Sequence, residues 1–91
     1  MDSKNDVQQF LTALRSRMSP EQAGIMIYGG ERRVSGLRRE EVAQLAAIST
    51  AYYTRIERGD LAGVSDGVLF ALVRALQLNE AETSQVGALR Q

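Results

Sequence analysis

The stretch Gly36-Leu37-Arg38-Arg39-Glu40-Glu41-Val42-Ala43-Gln44-Leu45-Ala46-Ala47-Ile48-Ser49-Thr50-Ala51-Tyr52-Tyr53-Thr54-Arg55-Ile56-Glu57-Arg58-Gly59 decides the fold. It reads as two short helices joined by a tight turn. Leu37, Val42, Leu45 and Ala46 give the first helix an apolar stripe at helical spacing. Ile48 is an apolar plug at the turn. Ser49 suits the N-cap of the second helix, because its hydroxyl can accept from a free backbone N–H. Tyr53 and Ile56 share one face of that helix, and Gly59 suits the left-handed position beyond its last turn. Thr50, Ala51, Tyr52, Thr54, Arg55 and Arg58 are left for the outer face. Small, polar and cationic residues there suit a helix that lies in a groove.

Toward the N-terminus, Val7, Phe10, Leu11, Leu14 and Met18 recur at helical spacing and predict a first helix over residues 6–18. Asp6 complements its positive end, and Arg15 and Arg17 its negative end. Met1 to Asn5 is expected to fray. Ser19-Pro20-Glu21-Gln22 is a second helix-start signal, which Gly24 stops after one turn. Ile25 to Tyr28 reads as a short extended piece, with Gly29-Gly30 as a turn. Toward the C-terminus, Leu61 to Val64 is a loop. Ser65-Asp66 caps a fourth helix reaching Leu76, with Val68, Leu69, Leu72, Val73 and Leu76 inward and Gly67 weakening its first turn. Asn79 caps a fifth helix through Ala88 or Leu89, with Glu80 and Glu82 in its first turn. The expectation is an all-α domain of five helices round one small core.

The whole chain narrows the chemistry. Its 91 residues make one domain, large enough for a modest core. With no cysteine and no histidine there is no disulfide, no thiolate zinc site and neither of the commonest catalytic bases. Glu40, Glu41, Glu80 and Glu82 sit at helix starts, where the dipole explains them. No phosphate-binding glycine loop or metal-ligand spacing appears, so no catalytic residue, cofactor or metal is expected. The apolar runs are too short to span a bilayer and the N-terminus is polar, so a cytoplasmic protein without a membrane partner is expected. Eleven basic and eleven acidic side chains give a net charge of zero, a mild count against nucleic acid. Position matters more than the sum. Arg32, Arg33, Arg38, Arg39, Arg55 and Arg58 lie in or beside the two-helix unit, interspersed with Glu31, Glu40, Glu41, Glu57 and Asp60. That pattern implies local arginine contacts with weak long-range steering.

From Gly36 to Ala46, and again at Tyr52-Tyr53-Thr54-Arg55, the sequence resembles the helix-turn-helix of Cro/phage-repressor-type (Xre-like) transcription regulators. It is closer still to the branch that carries a C-terminal MmyB-like, PAS-like ligand-binding domain. The resemblance runs from about Phe10 to Leu78, and the motif, about residues 37–59, is specific. It implies a five-helix repressor-type fold with a loop inserted between helix 1 and the motif. Residues 19–36 intervene here, where a plain Xre-like domain runs almost directly on. In the branch a comparable insertion ends in an arginine-rich stretch like Glu31-Arg32-Arg33-Val34-Ser35-Gly36.

The resemblance further implies double-stranded DNA as partner, bound by a homodimer, with residues 50–58 in the major groove. Thr50, Ala51, Thr54 and Arg55 are then the base-reading candidates, Arg55 by a bidentate bond to guanine O6 and N7. Arg39 stands where the family commonly has a glutamine and would contact phosphate; the alternative is a pair with a nearby glutamate. Arg38, Tyr52 and Arg58 are further phosphate candidates, though Tyr52 has packing as its alternative. Arg32 and Arg33 would reach phosphate or the minor groove, or simply solvate their loop. Glu57 is expected to pair with Arg15. Ala47 departs from the family, which often has glycine at the turn. The branch's ligand-binding domain would begin where this chain stops, at Gln91, so any small-molecule effector is expected to act through that domain. The fifth helix, with Val86 and Leu89, is one option for the dimer surface.

The rival is a protein-interaction module, an antitoxin or docking partner on the same fold, favoured by the zero net charge. A positive stripe through Arg39, Arg55 and Arg58 speaks for DNA. A patch broken by Glu40, Glu41 and Asp60, beside an exposed apolar face, speaks for the rival.

Overall fold

The computed structural model describes residues 3–25 and 35–90. The expected extended piece at Met26 to Tyr28, the Gly29-Gly30 turn, Arg32 and Arg33 lie outside the described residues. Among those described the architecture is five helices and no strand: α1 (Ser3–Arg17), α2 (Arg39–Ala46), α3 (Thr50–Glu57), α4 (Asp66–Ala75) and α5 (Glu80–Arg90). The all-α expectation holds.

Helix α1 carries the longest apolar stripe. Val7, Leu11, Leu14 and Met18 are buried, and Phe10 packs at the edge of the core. Its start corrects the sequence reading: residues 3–5 are helical, not frayed. Nothing in Lys4 or Asn5 breaks a helix, and the Lys4 backbone lies against Gly59. The Ser19-Pro20 signal yields a single turn. Ser19 Oγ accepts from Gln22 N–H at 3.2 Å, Gln22 Oε1 accepts from Ser19 N–H at 2.9 Å, and Gly24 at φ +76° ends it.

The other helices pack round that stripe, α2 against α3 and α4, and α1 against α3 and α5. Leu37 just before α2, Val42, Ala43 and Ala46 of α2, Tyr53 and Ile56 of α3, Val64 of the loop, Leu72 of α4 and Leu76 at its C-cap complete the core. Leu45, expected in the α2 stripe, is 37 % exposed. On a helical wheel it falls about 100° from the middle of the Val42, Ala43 and Ala46 group, at the edge of the packed face. Of the residues expected inward on α4, Val68, Leu69 and Val73 are half-buried; Phe70, which is not among them, is 63 % exposed. Ser65 Oγ caps α4 by accepting from Val68 N–H at 3.2 Å. Asn79 and Glu82 exchange bonds of 3.0 and 2.9 Å at the start of α5. Arg17 then ties the end of α1 to that start, 2.8 Å from Glu82.

Helices α2, α3 and α4 end in the same way, with one residue in left-handed backbone and a backbone bond reaching five residues back. The acceptors are Ala43, Arg55 and Val73 and the donors Ile48, Asp60 and Leu78, at 3.0, 3.1 and 3.0 Å. The left-handed residues are Ala47 at φ 59°, Gly59 at φ +96° and Gln77 at φ 55°. Only the middle one is a glycine. The motif turn therefore carries a Cβ where glycine would sit without strain. Ala47→Gly is expected to raise unfolding stability by about 0.5–1 kcal/mol, the relief being partly offset by a more flexible unfolded chain. A urea melt checks it; an unchanged or lower midpoint would show that Ala47 carries no strain.

Candidate nucleic-acid interface

Ser49 sets where α3 begins. Its Oγ accepts from Tyr52 N–H at 3.0 Å while its backbone is still extended. The same geometry fixes which residues of α3 face in. Tyr53, Ile56 and Glu57 are buried; Thr50, Ala51, Arg55 and Arg58 are exposed; Tyr52 and Thr54 are half-buried. The base-reading candidates therefore share the outer side of one eight-residue helix, with Thr54 at its margin. Tyr52 packs against the core cluster, and its ring carries the Arg55 guanidinium, 5.4 Å from the centroid.

The inner side of α3 is anchored by a buried carboxylate. Glu57 is 2 % exposed and accepts from three groups. Arg15 Nε donates to Oε1 at 2.7 Å, Arg39 Nε to Oε2 at 2.6 Å, and the Tyr53 hydroxyl to Oε1 at 2.8 Å. Arg15 also donates to the Leu37 carbonyl at 3.0 Å. One carboxylate thus joins α1, α2, α3 and the segment leading into the motif. Burial pushes the Glu57 carboxyl toward protonation; the bonds from Arg15, Arg39 and Tyr53 outweigh it and hold its pKa below the usual value. Burial first, then the neighbouring Glu57 charge, pushes the Tyr53 phenol well above its ordinary range. Burial works against the Arg15 charge, but Glu57 more than restores it.

Arg39 is half-exposed, with its guanidinium on Glu57 rather than fully extended into solvent. Arg38 lies 3.8 Å from Glu40, and its backbone N–H donates to Glu41 Oε1 at 2.7 Å. Arg58 is exposed at the C-cap of α3. Arg55 turns back toward the loop that follows α3: its Nε is 3.2 Å from Asp60 Oδ2 and its Nη2 donates to the Ala62 carbonyl at 2.7 Å. Arg39, Arg38 and Arg55 thus each have a carboxylate beside them. These contacts at Asp60 and Ala62, and the donor role of Tyr53, escape sequence reasoning. No spacing rule links a helix arginine to a loop carbonyl.

A second feature lies outside the motif. Asp66, Leu69, Phe70, Val73, Thr83, Val86 and Gly87 line a groove between α4 and α5. No group of metal-binding side chains is present among the described residues, and no described helix is long and apolar enough to cross a membrane.

No curated protein and no solved structure matches the chain. Residues 9–86, from the middle of α1 into α5, match the Helix-turn-helix domain family, whose architecture is associated with DNA binding and transcription regulation. With α2, the Ala47 turn and α3 arranged as described, and a match spanning most of its length, the chain belongs to the helix-turn-helix domain family.

Proposed function

We propose that this chain is a sequence-specific DNA-binding domain of a cytoplasmic transcription regulator, of the Xre-like type and its MmyB-like branch, placing α3 in the major groove. The observation that carries the reading is the outer side of α3. Thr50, Ala51, Arg55 and Arg58 are exposed on the second helix of a helix-turn-helix domain whose inner side is fully committed to the core. Thr50, Ala51, Thr54 and Arg55 read base edges; Arg38, Arg39, Tyr52 and Arg58 hold phosphates, joined by Arg32 and Arg33 from the inserted segment. The carboxylates beside Arg38 and Arg55 do not forbid this. An exposed ion pair contributes about 0–1 kcal/mol, so the one beside Arg38 can give way to a phosphate, while the one beside Arg55 leaves other N–H groups of its guanidinium for a base.

The domain acts as a homodimer on a two-fold site. The groove between α4 and α5 supports that part of the reading, because exposed Phe70 and half-buried Val86 both line it. Phe70→Ser is expected to weaken self-association at least tenfold in sedimentation equilibrium without lowering Tm at a concentration where the wild type is monomeric. A variant that associates as the wild type does would remove this face. Any small-molecule effector works through a domain other than this one.

Selection of bound duplexes from a random library, followed by salt titration, tests the whole reading. A two-fold winner bound about 10³-fold over scrambled DNA, with a steep salt slope, is the expected result. Arg55→Ala should flatten the preference at one base pair and leave the fold intact. Enrichment of nothing, even with dimerisation enforced by an appended coiled coil, would sink it. A second reading, a protein-interaction module, is favoured by the zero net charge, the paired arginines and exposed Phe70. It takes over on that outcome.

A further inference from the structure

We infer that Asp60 is a specificity-determining residue, positioning the Arg55 guanidinium so that α3 prefers one base pair; this rests on the DNA-binding reading above. Asp60 is the first residue beyond the Gly59 closure. Its backbone N–H donates to the Arg55 carbonyl at 3.1 Å, and its Oδ1 accepts from Ala62 N–H at 3.3 Å. Its other carboxylate oxygen, Oδ2, lies 3.2 Å from Arg55 Nε. The loop it organises presents the Ala62 carbonyl to Arg55 Nη2 at 2.7 Å, and the Tyr52 ring supports the guanidinium at 5.4 Å. Three separate contacts thus fix a side chain that would otherwise sample many rotamers.

A guanidinium has five N–H donors in a rigid fork. Asp60 and Ala62 use Nε and one N–H of Nη2, leaving the Nη1 edge to meet a base. Holding the fork before binding removes an ordering cost that would otherwise fall on the complex, and a fixed fork discriminates among bases where a mobile one adapts. Asp60 also brings a negative charge toward the phosphates. It therefore has two effects of opposite sign: it weakens attraction to any DNA and sharpens the choice among sequences. Neither a helix-capping role nor simple repulsion gives that combination.

The test compares the full chain with Asp60→Asn, Asp60→Ala, Arg55→Ala and the Arg55→Ala/Asp60→Ala pair, on the wild-type selected duplex and its single-base-pair variants. Asp60→Asn keeps an oxygen for the Ala62 N–H and removes the charge, separating loop organisation from the grip on Arg55. Both Asp60 variants are expected to lose about fivefold or more of the preference at the base pair that Arg55→Ala flattens, while binding scrambled DNA more tightly. In the Arg55→Ala background, Asp60→Ala should cost no further preference. Tm should stay close to the wild-type value, since an exposed pair contributes little. Unchanged preference in both Asp60 variants, or a uniform gain on every duplex, overturns the inference while leaving the DNA-binding reading in place. A wild type that selects no sequence overturns both.

Discussion

Glu57→Ala is expected to lower unfolding stability by about 3–5 kcal/mol, because removing one partner of a buried ion pair leaves the other poorly solvated. Three donors lose their acceptor at once: Arg15, Arg39 and the Tyr53 hydroxyl. Arg39 can swing into water. The Arg15 side chain, 13 % exposed, and the Tyr53 hydroxyl, deep in the core, cannot do so without opening the packing. Domains of this kind are stable by about 5–15 kcal/mol in all, so the variant loses from about a fifth of that to all of it and melts about 12–40 °C lower. Glu57→Gln keeps the shape and one accepting oxygen, with its NH2 turned to an arginine donor, and should lose less than the alanine.

The same group sets an acid limit. The folded Glu57 carboxyl has a lowered pKa, so between that value and the ordinary 4.5 the unfolded chain binds more protons. Its contribution is fully present above that range and fades as pH falls through the folded value. Tyr53 works from the other end. Its raised pKa means that the unfolded chain loses the phenolic proton first, so stability falls as pH rises above the ordinary value of 10.0. Urea melts across pH follow both arms. Glu57→Gln should lose most of the acid arm and Tyr53→Phe the alkaline one. If Glu57→Ala unfolds within about 1 kcal/mol of the wild type, the carboxylate is not the anchor described here.

Gly59→Ala is the second large effect. The residue has φ +96°, and a Cβ built there would lie 2.5 Å from the Lys4 Cα and 2.7 Å from its carbonyl oxygen. Left-handed backbone costs an alanine about 1–2 kcal/mol and overpacking against rigid neighbours about 1–3 more, so a loss of about 2–5 kcal/mol is expected. Gly63 supplies the control. It has φ +75° with nothing within 4 Å of the added carbon, so Gly63→Ala should show only the backbone part. Equal losses at the two positions, read from urea midpoints, would mean that α1 does not press on Gly59. In that case the start of α1 is free to move.

The parts of this fold that were legible in the sequence are those governed by neighbours. Ser49, Ser65 and Asn79 announce helix starts because a cap is a bond across three residues, and Gly59 announces a stop because its backbone demands it. What was not legible depends on partners far along the chain. Leu45 fits a helical period over a short segment, but which edge of α2 stays wet is decided by how α3 and α4 dock. The start of α1 is not legible because polar residues carry no period, and the close approach of Gly59 to Lys4 spans most of the chain. At the candidate interface, the exposed face of α3 follows from its buried one. The company kept by its arginines does not: Arg39 shares the Glu57 carboxylate with Arg15, and Arg55 reaches over the end of its own helix to Asp60 and Ala62.

Two glycines frame the motif, and both rest on α1. Gly36 approaches Ser16 so closely that a Cβ would meet its carbonyl oxygen at 2.5 Å, as Gly59 approaches Lys4. Between them Glu57 draws its first donor from Arg15. The helix-turn-helix is therefore not a detachable cassette. A peptide of residues 36–59 would lack the surface against which both its ends are shaped and would carry a carboxylate with a missing partner. Grafting this recognition helix onto another scaffold means transplanting α1 with it, or supplying a foreign helix that offers bare backbone at two points and an arginine between them.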